Sequence, residues 1–258
     1  MSRLIPESSA SLDRDAVKKH LRLLWRPRTN QPERPGPRPR ITTTGVVSAA
    51  ISRADSAGLE NLTMRELAAD LGVKPMTLYS HVPDKASLLA LMTDQVFADS
   101  AATLPHSSPW RDQVRAVMDD TFQLYSSHPW LLTVHTEQPV LGPGFLGRYE
   151  RQLQCLQPLG LNDVTLDATL TFVSNFARSA AADLIGQETL ALSGRDWWEA
   201  AGPTLEELVS GSDYPLATRV GTAAGRARGG TYDAGSNYSF GTQCVLAGLG
   251  ALVDESIA

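Results

Sequence analysis

The chain has 258 residues, 42% of them hydrophobic, and a formal net charge of −5. That apolar share supports one or two cored domains and excludes disorder of the whole, while the overall charge selects no particular partner. The charge is unevenly placed: residues 1–40 carry ten Lys/Arg against four acids, and residues 101–258 carry nine Arg against seventeen acids.

Cys155 and Cys244 both sit in apolar helical patterns without a CxxC or Cys/His pairing, which argues against a disulfide framework. The stretch MSRLIPESSASLDRD lacks the apolar centre of a signal peptide, and no run reaches the roughly 18 apolar residues of a membrane span. A cytoplasmic protein with no membrane partner is expected.

Residues 11–24 place Val17, Leu21 and Leu24 on one helical face, with basic residues elsewhere. Four prolines between residues 32 and 39 then forbid a regular element. Residues 25–40 read as an extended basic linker, either a solubilising tail or an arm that contacts nucleic acid, so residues 1–40 form a basic, partly disordered extension.

From Thr42 the pattern turns helical, with Val47, Ala50, Ile51 and Ala54 at i, i+3, i+4 and i+7, and Gly58 stops it. Thr63 and Glu66 have the spacing of a capping box, with Leu62 and Leu67 at the positions of a hydrophobic staple; the helix they open ends at Gly72. Pro75 suits the first turn of a short third helix that must end before Pro83, and Asp84 caps a fourth bearing Leu88, Leu89, Met92, Val96 and Phe97.

Two helices joined by a short turn containing Gly make a helix-turn-helix. At about 100° per residue, Leu78 and Val82 define the inner side of the third helix, while Met76 and Ser80 point outward with Thr77 and Tyr79 on their flanks. A DNA major groove accepts one such helix, and Lys85 at the start of the next helix is placed for a phosphate. Helix-turn-helix geometry also occurs without DNA, so a helical hairpin packed on the rest of the protein stays open from geometry alone.

Residues 41–97, most closely LTMRELAADLGVKPMTLYSHVPDKASLLALM, resemble the DNA-binding domain of TetR-type transcriptional regulators. The resemblance implies Arg65, Met76, Thr77 and Tyr79 in or beside the groove, and Thr63, His81 and Lys85 at the DNA backbone, with Lys74 and Ser80 among the contacting positions. Lys74 and Pro75 stand where tetracycline-responsive members have an acid and an amide, and Ser80 where they have a large aromatic, so the operator does not carry over.

Beyond Pro109 the chain reads as helical throughout: 110–128, a short WLLTVHTEQ, FLGRYERQLQCLQPLG, then a long helix from Asp163 to about Ile185 with a small-residue stripe of Ala177, Ala180, Ala181 and Leu184. Residues 239–253 carry no charge and are apolar on nearly every face, which calls for burial in the domain or at a subunit interface. The Gly/Arg-rich stretch 221–237 reads as a mobile loop. The resemblance extends weakly over 128–185 to the tetracycline-repressor class and implies a homodimer, two reading helices and a palindromic double-stranded operator.

GPGFLG at 142–147 satisfies G-x-G-x-x-G, but with Pro139 and Pro143 crowding it and no βαβ alternation it does not read as a dinucleotide site. No enzyme motif nominates a nucleophile. The resemblance sets His135 near the drug-chelated magnesium of tetracycline-responsive members, yet the spacing differs, so neither a metal nor a cofactor is assigned. His135, Tyr149, Phe172, Asn175 and Phe176 are candidates for lining an effector pocket, with ordinary core packing as the alternative for each.

The resulting expectation is an all-α regulator: a helix-turn-helix domain at 41–100, a helical ligand-binding and dimerisation domain at 108–258, no enzymatic activity, and a small-molecule effector. A constitutive dimeric DNA-binding protein, or a ligand-binding protein with a vestigial helix-turn-helix, are the alternatives.

Overall fold

The computed structural model describes residues 13–26, 41–100, 104–105, 108–136, 138–209, 214–228 and 233–257, leaving aside the side chains of 189–199, 228 and 255–257. Among these residues every regular element is helical. The basic linker expected at 25–40 lies outside them from residue 27 onward. The chain divides into two compact units, one of residues 1–100 with 134–149, the other of 101–133 with 150–258.

In the first unit α1 spans Arg14–Leu24 and is capped by Asp13, whose carboxylate accepts from the N–H groups of Asp15 and Ala16. Helix α2 (Thr43–Ala57) starts at Thr42, whose hydroxyl accepts from Gly45 N–H, and stops at Gly58, where φ is 83°. Such a φ is open to glycine at little cost. Val46, Val47, Ala50 and Ala54 form its buried face. Helices α3 (Met64–Asp70) and α4 (Pro75–Tyr79) are joined through Gly72 at φ 64°, and Pro75 opens α4 where a missing N–H is harmless. Asp84 caps α5 (Lys85–Asp99) by accepting from Ser87 N–H at 2.7 Å. The buried side chains of this unit, Leu62, Leu67, Leu78, Val82, Leu88 and Met92, are all fully enclosed. Leu23 and Leu24 bury α1 in the same unit, where it packs on α5.

Helix α7 (Pro143–Leu156) contributes its first half to this unit and its second half to the other.

The second unit is built on α6 (Trp110–Ser127) against α8 (Asp163–Val209), with α10 (Ala234–Ile257) across both. Val114, Val117 and Met118 of α6 and Val173, Ala177 and Ala181 of α8 are all buried in its core, where the two helices pack together. The alanine stripe therefore serves a close helix contact inside the chain. Two expectations are corrected. Helix α8 runs on to Val209 instead of ending near Ile185: Gly186, Gly194 and Gly202 each cost only about 1 kcal/mol against alanine in a stretch otherwise rich in Glu, Leu and Ala, and the helix continues through Pro203. The loop expected at 221–237 is for the most part helix: α9 spans Pro215–Arg228 and α10 begins at Ala234. Gly221 and Gly225 are single interruptions among Ala, Val, Thr and Arg, and isolated glycines do not break a helix.

The outer faces of α8 and α10 both expose apolar side chains. Val164, Ala168, Thr171, Phe172, Asn175 and Ser179 form an exposed line on α8, bordered by the exposed Asp167 and Arg178, and Phe240, Gln243, Cys244, Ala247, Gly248 and Leu252 form an exposed uncharged line on α10. Helix α10 thus has one buried face, through Val245, Leu246, Leu249 and Val253, and one bare apolar face.

Candidate nucleic-acid interface and effector core

Helix α4 is held from beneath by Leu78 and Val82, both at 0% exposure, which fixes what its other side presents. Met76 is 77% exposed and Tyr79 44%, with Lys74, Thr77 and Ser80 also in solvent. An exposed methionine on a helix this short contributes nothing to the core. The Ser80 hydroxyl donates to the Thr77 carbonyl at 2.7 Å, closing the end of the helix. His81 is half-buried, its Nδ1 at 3.5 Å from the Thr43 hydroxyl, a contact at the outer limit of hydrogen bonding that sets it beside the first turn of α2.

Thr63 caps α3 by accepting from Glu66 N–H at 3.2 Å, and its hydroxyl donates to the Glu66 carboxylate at 2.9 Å. The side-chain half of the box thus closes on the hydroxyl. That carboxylate lies 3.5 Å from Arg53, which pairs with Asp70 at 2.6 Å and donates to the Asn61 carbonyl at 2.9 Å. Arg53 is therefore committed to holding α2 against α3, whereas Arg65, Lys74 and Lys85 are exposed. The structure brings the DNA candidates Thr63, Arg65, Lys74, Met76, Thr77, Tyr79, Ser80, His81 and Lys85 onto a stretch from the start of α3 to the start of α5, His81 alone among them being half-buried.

Behind this surface α5 carries Asp94, a carboxylate at 0% exposure that accepts from Phe145 N–H at 2.9 Å. Phe145 is the third residue of α7, so Asp94 acts as a cap supplied from 51 residues away. Gly142 and Gly144 make the approach possible. A Cβ on Gly142 would fall 2.4 Å from the Asp94 carboxyl carbon, and one on Gly144 1.8 Å from the Asp94 carbonyl oxygen. GPGFLG is thus a helix-docking motif. Arg148 of α7 donates to the Ser100 hydroxyl at 2.6 Å, and Phe97 and Phe145 pack at 6.1 Å. Helix α1 grips the segment just before α7: Trp25 donates its indole N–H to the Leu141 carbonyl at 3.0 Å, and His20 donates Nε2–H to the Pro139 carbonyl at 3.2 Å.

The effector candidates are divided between the two units. Tyr149 is half-buried and stacks on Phe145 at 6.2 Å in the first unit, which also contains the exposed His135. Phe172, at 56% exposure, and Asn175 lie on the outer face of α8. Only Phe176 turns inward in the second unit, stacking at 5.7 Å on Tyr238, whose ring also stacks on Phe122 at 4.6 Å.

Sequence reasoning passed over the groups that give the second unit its polar interior. Tyr238 donates its hydroxyl to Asp119 at 2.7 Å, and burial, followed by that bond, raises its pKa far above the ordinary phenol value. Gln113, at 1% exposure, leaves its Oε1 without a hydrogen-bond partner, and Gln152, at 5%, donates to the Thr121 hydroxyl at 3.3 Å. The Cys155 thiol donates to the carbonyls of Pro105 and Gln113 at 3.4 and 3.6 Å, and burial, with Asp120 second, pushes its pKa up to about 11. A thiol so protonated at neutral pH is no nucleophile. The available signal was Gln113 and Thr121 falling on the apolar side of α6 beside Val114, Val117 and Leu124. Among the described residues no group of three or more His, Cys, Asp or Glu side chains has the arrangement to hold a metal ion, and no helix is long and apolar enough to cross a membrane.

Comparison with known proteins agrees with this geometry. The family described as "Bacterial regulatory proteins, tetR family" matches residues 46–92, and that described as "Tetracyclin repressor-like, C-terminal domain" matches residues 104–253. The HTH-type transcriptional repressor DrrR1 of Streptomyces coeruleorubidus is 35% identical over 255 residues, covering 96% of this chain and 90% of the relative. The tetracycline repressor protein class E of Escherichia coli is 26% identical, covering 84% and 94%. Among solved structures, the TetR family protein ActR of Streptomyces coelicolor in complex with actinorhodin superposes with a TM-score of 0.65 at 22% identity, covering 83% of this chain and 98% of ActR.

Proposed function

The chain belongs to the tetR family of bacterial regulatory proteins, and from that premise we propose that it represses transcription by binding a palindromic operator as a homodimer, and that a small molecule held in its C-terminal domain releases it. Residues 41–100 are the reading domain and 108–258 the effector and dimerisation domain. The observation that carries the reading is the two-sidedness of α4: Leu78 and Val82 wholly enclosed, Met76 and Tyr79 presented to solvent. Met76, Thr77 and Tyr79 read base edges with Arg65, while Thr63, His81 and Lys85 position the protein on phosphates.

Dimerisation rests on the exposed apolar side chains of the outer faces of α8 and α10, where Phe172 and Asn175 serve as interface side chains instead of pocket lining. An effector, as opposed to constitutive binding, is favoured by Gln113. A buried amide oxygen left without a partner costs about 1–3 kcal/mol, a penalty that a donor group on a bound molecule relieves. The second unit holds buried polar groups, Gln113, Gln152 and Thr121, together with the stacked Phe122, Tyr238 and Phe176 rings, a mixture that suits an amphipathic molecule. Such a ligand acts only through its differential affinity for the DNA-bound and released arrangements.

The experiment is selection from a random duplex pool with the purified protein and with its Met76→Ala and Tyr79→Ala variants. The wild type enriches an inverted repeat with half-sites about one helical turn apart, and each variant shifts the preferred bases. Variants that enrich the wild-type motif unchanged would remove α4 from the reading role.

A further inference from the structure

Helix α1 lies outside the matched segment 46–92, yet it is packed into the compact unit that contains the reading helix. We propose that α1 is a second DNA contact, in which exposed Arg14, Lys18, Lys19 and Arg22 neutralise backbone phosphates of the duplex read by α4. This rests on the reading of α3 and α4 as a DNA-binding pair.

The first argument is electrostatic. Residues 41–100 hold four cations, Arg53, Arg65, Lys74 and Lys85, against seven acids, a net charge of −3. One of the four, Arg53, is already paired with Asp70 and lies beside Glu66. Affinity for a duplex comes largely from cations that displace its condensed counterions, and a domain with this balance is poorly supplied with them. The stretch 13–26 has the opposite balance: Arg14, Lys18, Lys19, Arg22 and Arg26 against Asp13 and Asp15, net +3.

The second argument is placement. Leu23 and Leu24, at 7% and 2% exposure, seat the C-terminal half of α1 in the unit, and the Trp25 and His20 bonds to the Leu141 and Pro139 carbonyls hold that same half. Once the Val17, Leu21 and Leu24 side is turned inward, the cations are left in solvent, and all four are exposed. Asp13 is used as the helix cap, and the Asp15–Lys18 pair at 3.4 Å is so exposed that a nearby phosphate competes with it readily. A helix seated in this way presents its charges without the ordering cost that a flexible arm incurs on binding.

The test uses the full chain and a duplex recovered by selection, with affinity measured at several salt concentrations. In the R14Q/K18Q/K19Q/R22Q variant, loss of even one phosphate contact per protomer, two per dimer, flattens the slope of log K against log salt by about 1.8 and lowers affinity roughly 60-fold at 0.1 M salt, and more for each further contact, with the preferred sequence unchanged. Lys85→Ala serves as the reference: it removes one contact per protomer, two per dimer, and flattens the slope by about 1.8. An unchanged slope in the quadruple variant, while Lys85→Ala alters it, overturns the role of α1 and leaves the α3 and α4 reading intact. Loss of dimerisation at an unchanged slope also overturns it, by assigning the basic face to a second, acidic copy of the chain. A wild-type protein that binds no duplex sinks both readings together.

Discussion

The close approach of α7 to α5 makes Gly144→Ala a severe perturbation from one added methyl group. The new Cβ would lie 1.8 Å from the Asp94 carbonyl oxygen, a backbone atom of a buried helix, whereas ordinary contact begins near 3.4 Å. Relieving the clash needs a shift of about 1.6 Å, enough to take the 2.9 Å bond from Phe145 N–H to the Asp94 carboxylate out of hydrogen-bonding range. Overpacking costs about 1–3 kcal/mol, and an unmet bond to a buried carboxylate a further 1.5–3 kcal/mol. Less about 1 kcal/mol for replacing a helical glycine, the net loss is about 1.5–5 kcal/mol. At about 2–4 °C per kcal/mol for a domain of 150–250 residues, Tm falls by roughly 3–20 °C. Scanning calorimetry on the full chain measures it, with Gly221→Ala, whose Cβ would meet nothing within 4 Å, as the control that stays level or rises slightly. If the Gly144→Ala protein melts within 1 °C of wild type, the docking of α7 on Asp94 is wrong.

Other predictions follow from single residues. Thr63→Ala removes the cap of α3 and costs about 1 kcal/mol in urea unfolding, on top of any loss of DNA affinity. At pH 8 a thiol reagent modifies Cys244 quickly and Cys155 only in denaturant; Cys244 then reacts more slowly as protein concentration rises and α10 faces pair. Cys155 and Tyr238 have folded pKa values above their ordinary values of 9.0 and 10.0, so the stability they contribute is complete below pH 9 and declines as pH rises. The urea midpoint drops between pH 9 and 11, and drops less in Cys155→Ala; an identical slope in both proteins contradicts the thiol's share. Gln113→Leu removes the unpartnered amide and raises stability while weakening the effector response, read as release of duplex by ligand.

The sequence was most legible where the governing interactions are local. Thr42, Thr63 and Asp84 each cap the helix that follows within three residues, and Gly58, Gly72 and Pro75 punctuate the chain through their own backbone chemistry. The inner side of α4 follows from periodicity alone. What escaped depends on distant partners. GPGFLG matches a phosphate-binding pattern, and its glycines acquire their purpose only when Asp94, about 50 residues earlier, is seen against them. Phe172 and Asn175 fall on the same helix as Phe176, but the side α8 turns inward is decided by its packing on α6 and α10. The helical state of 221–228 escaped because glycine was weighed as a breaker where its cost, about 1 kcal/mol, is small, and α8 runs on past Ile185 through three glycines and Pro203.

A methylation-interference footprint on the selected duplex tests the central claim most directly. Major-groove reading by two copies of α4 predicts two windows of interference about one helical turn apart on one face of the duplex, and the Tyr79→Ala protein alters the pattern inside both. A single window, or interference that Tyr79→Ala leaves untouched, would contradict the account of a dimer that reads DNA with α4.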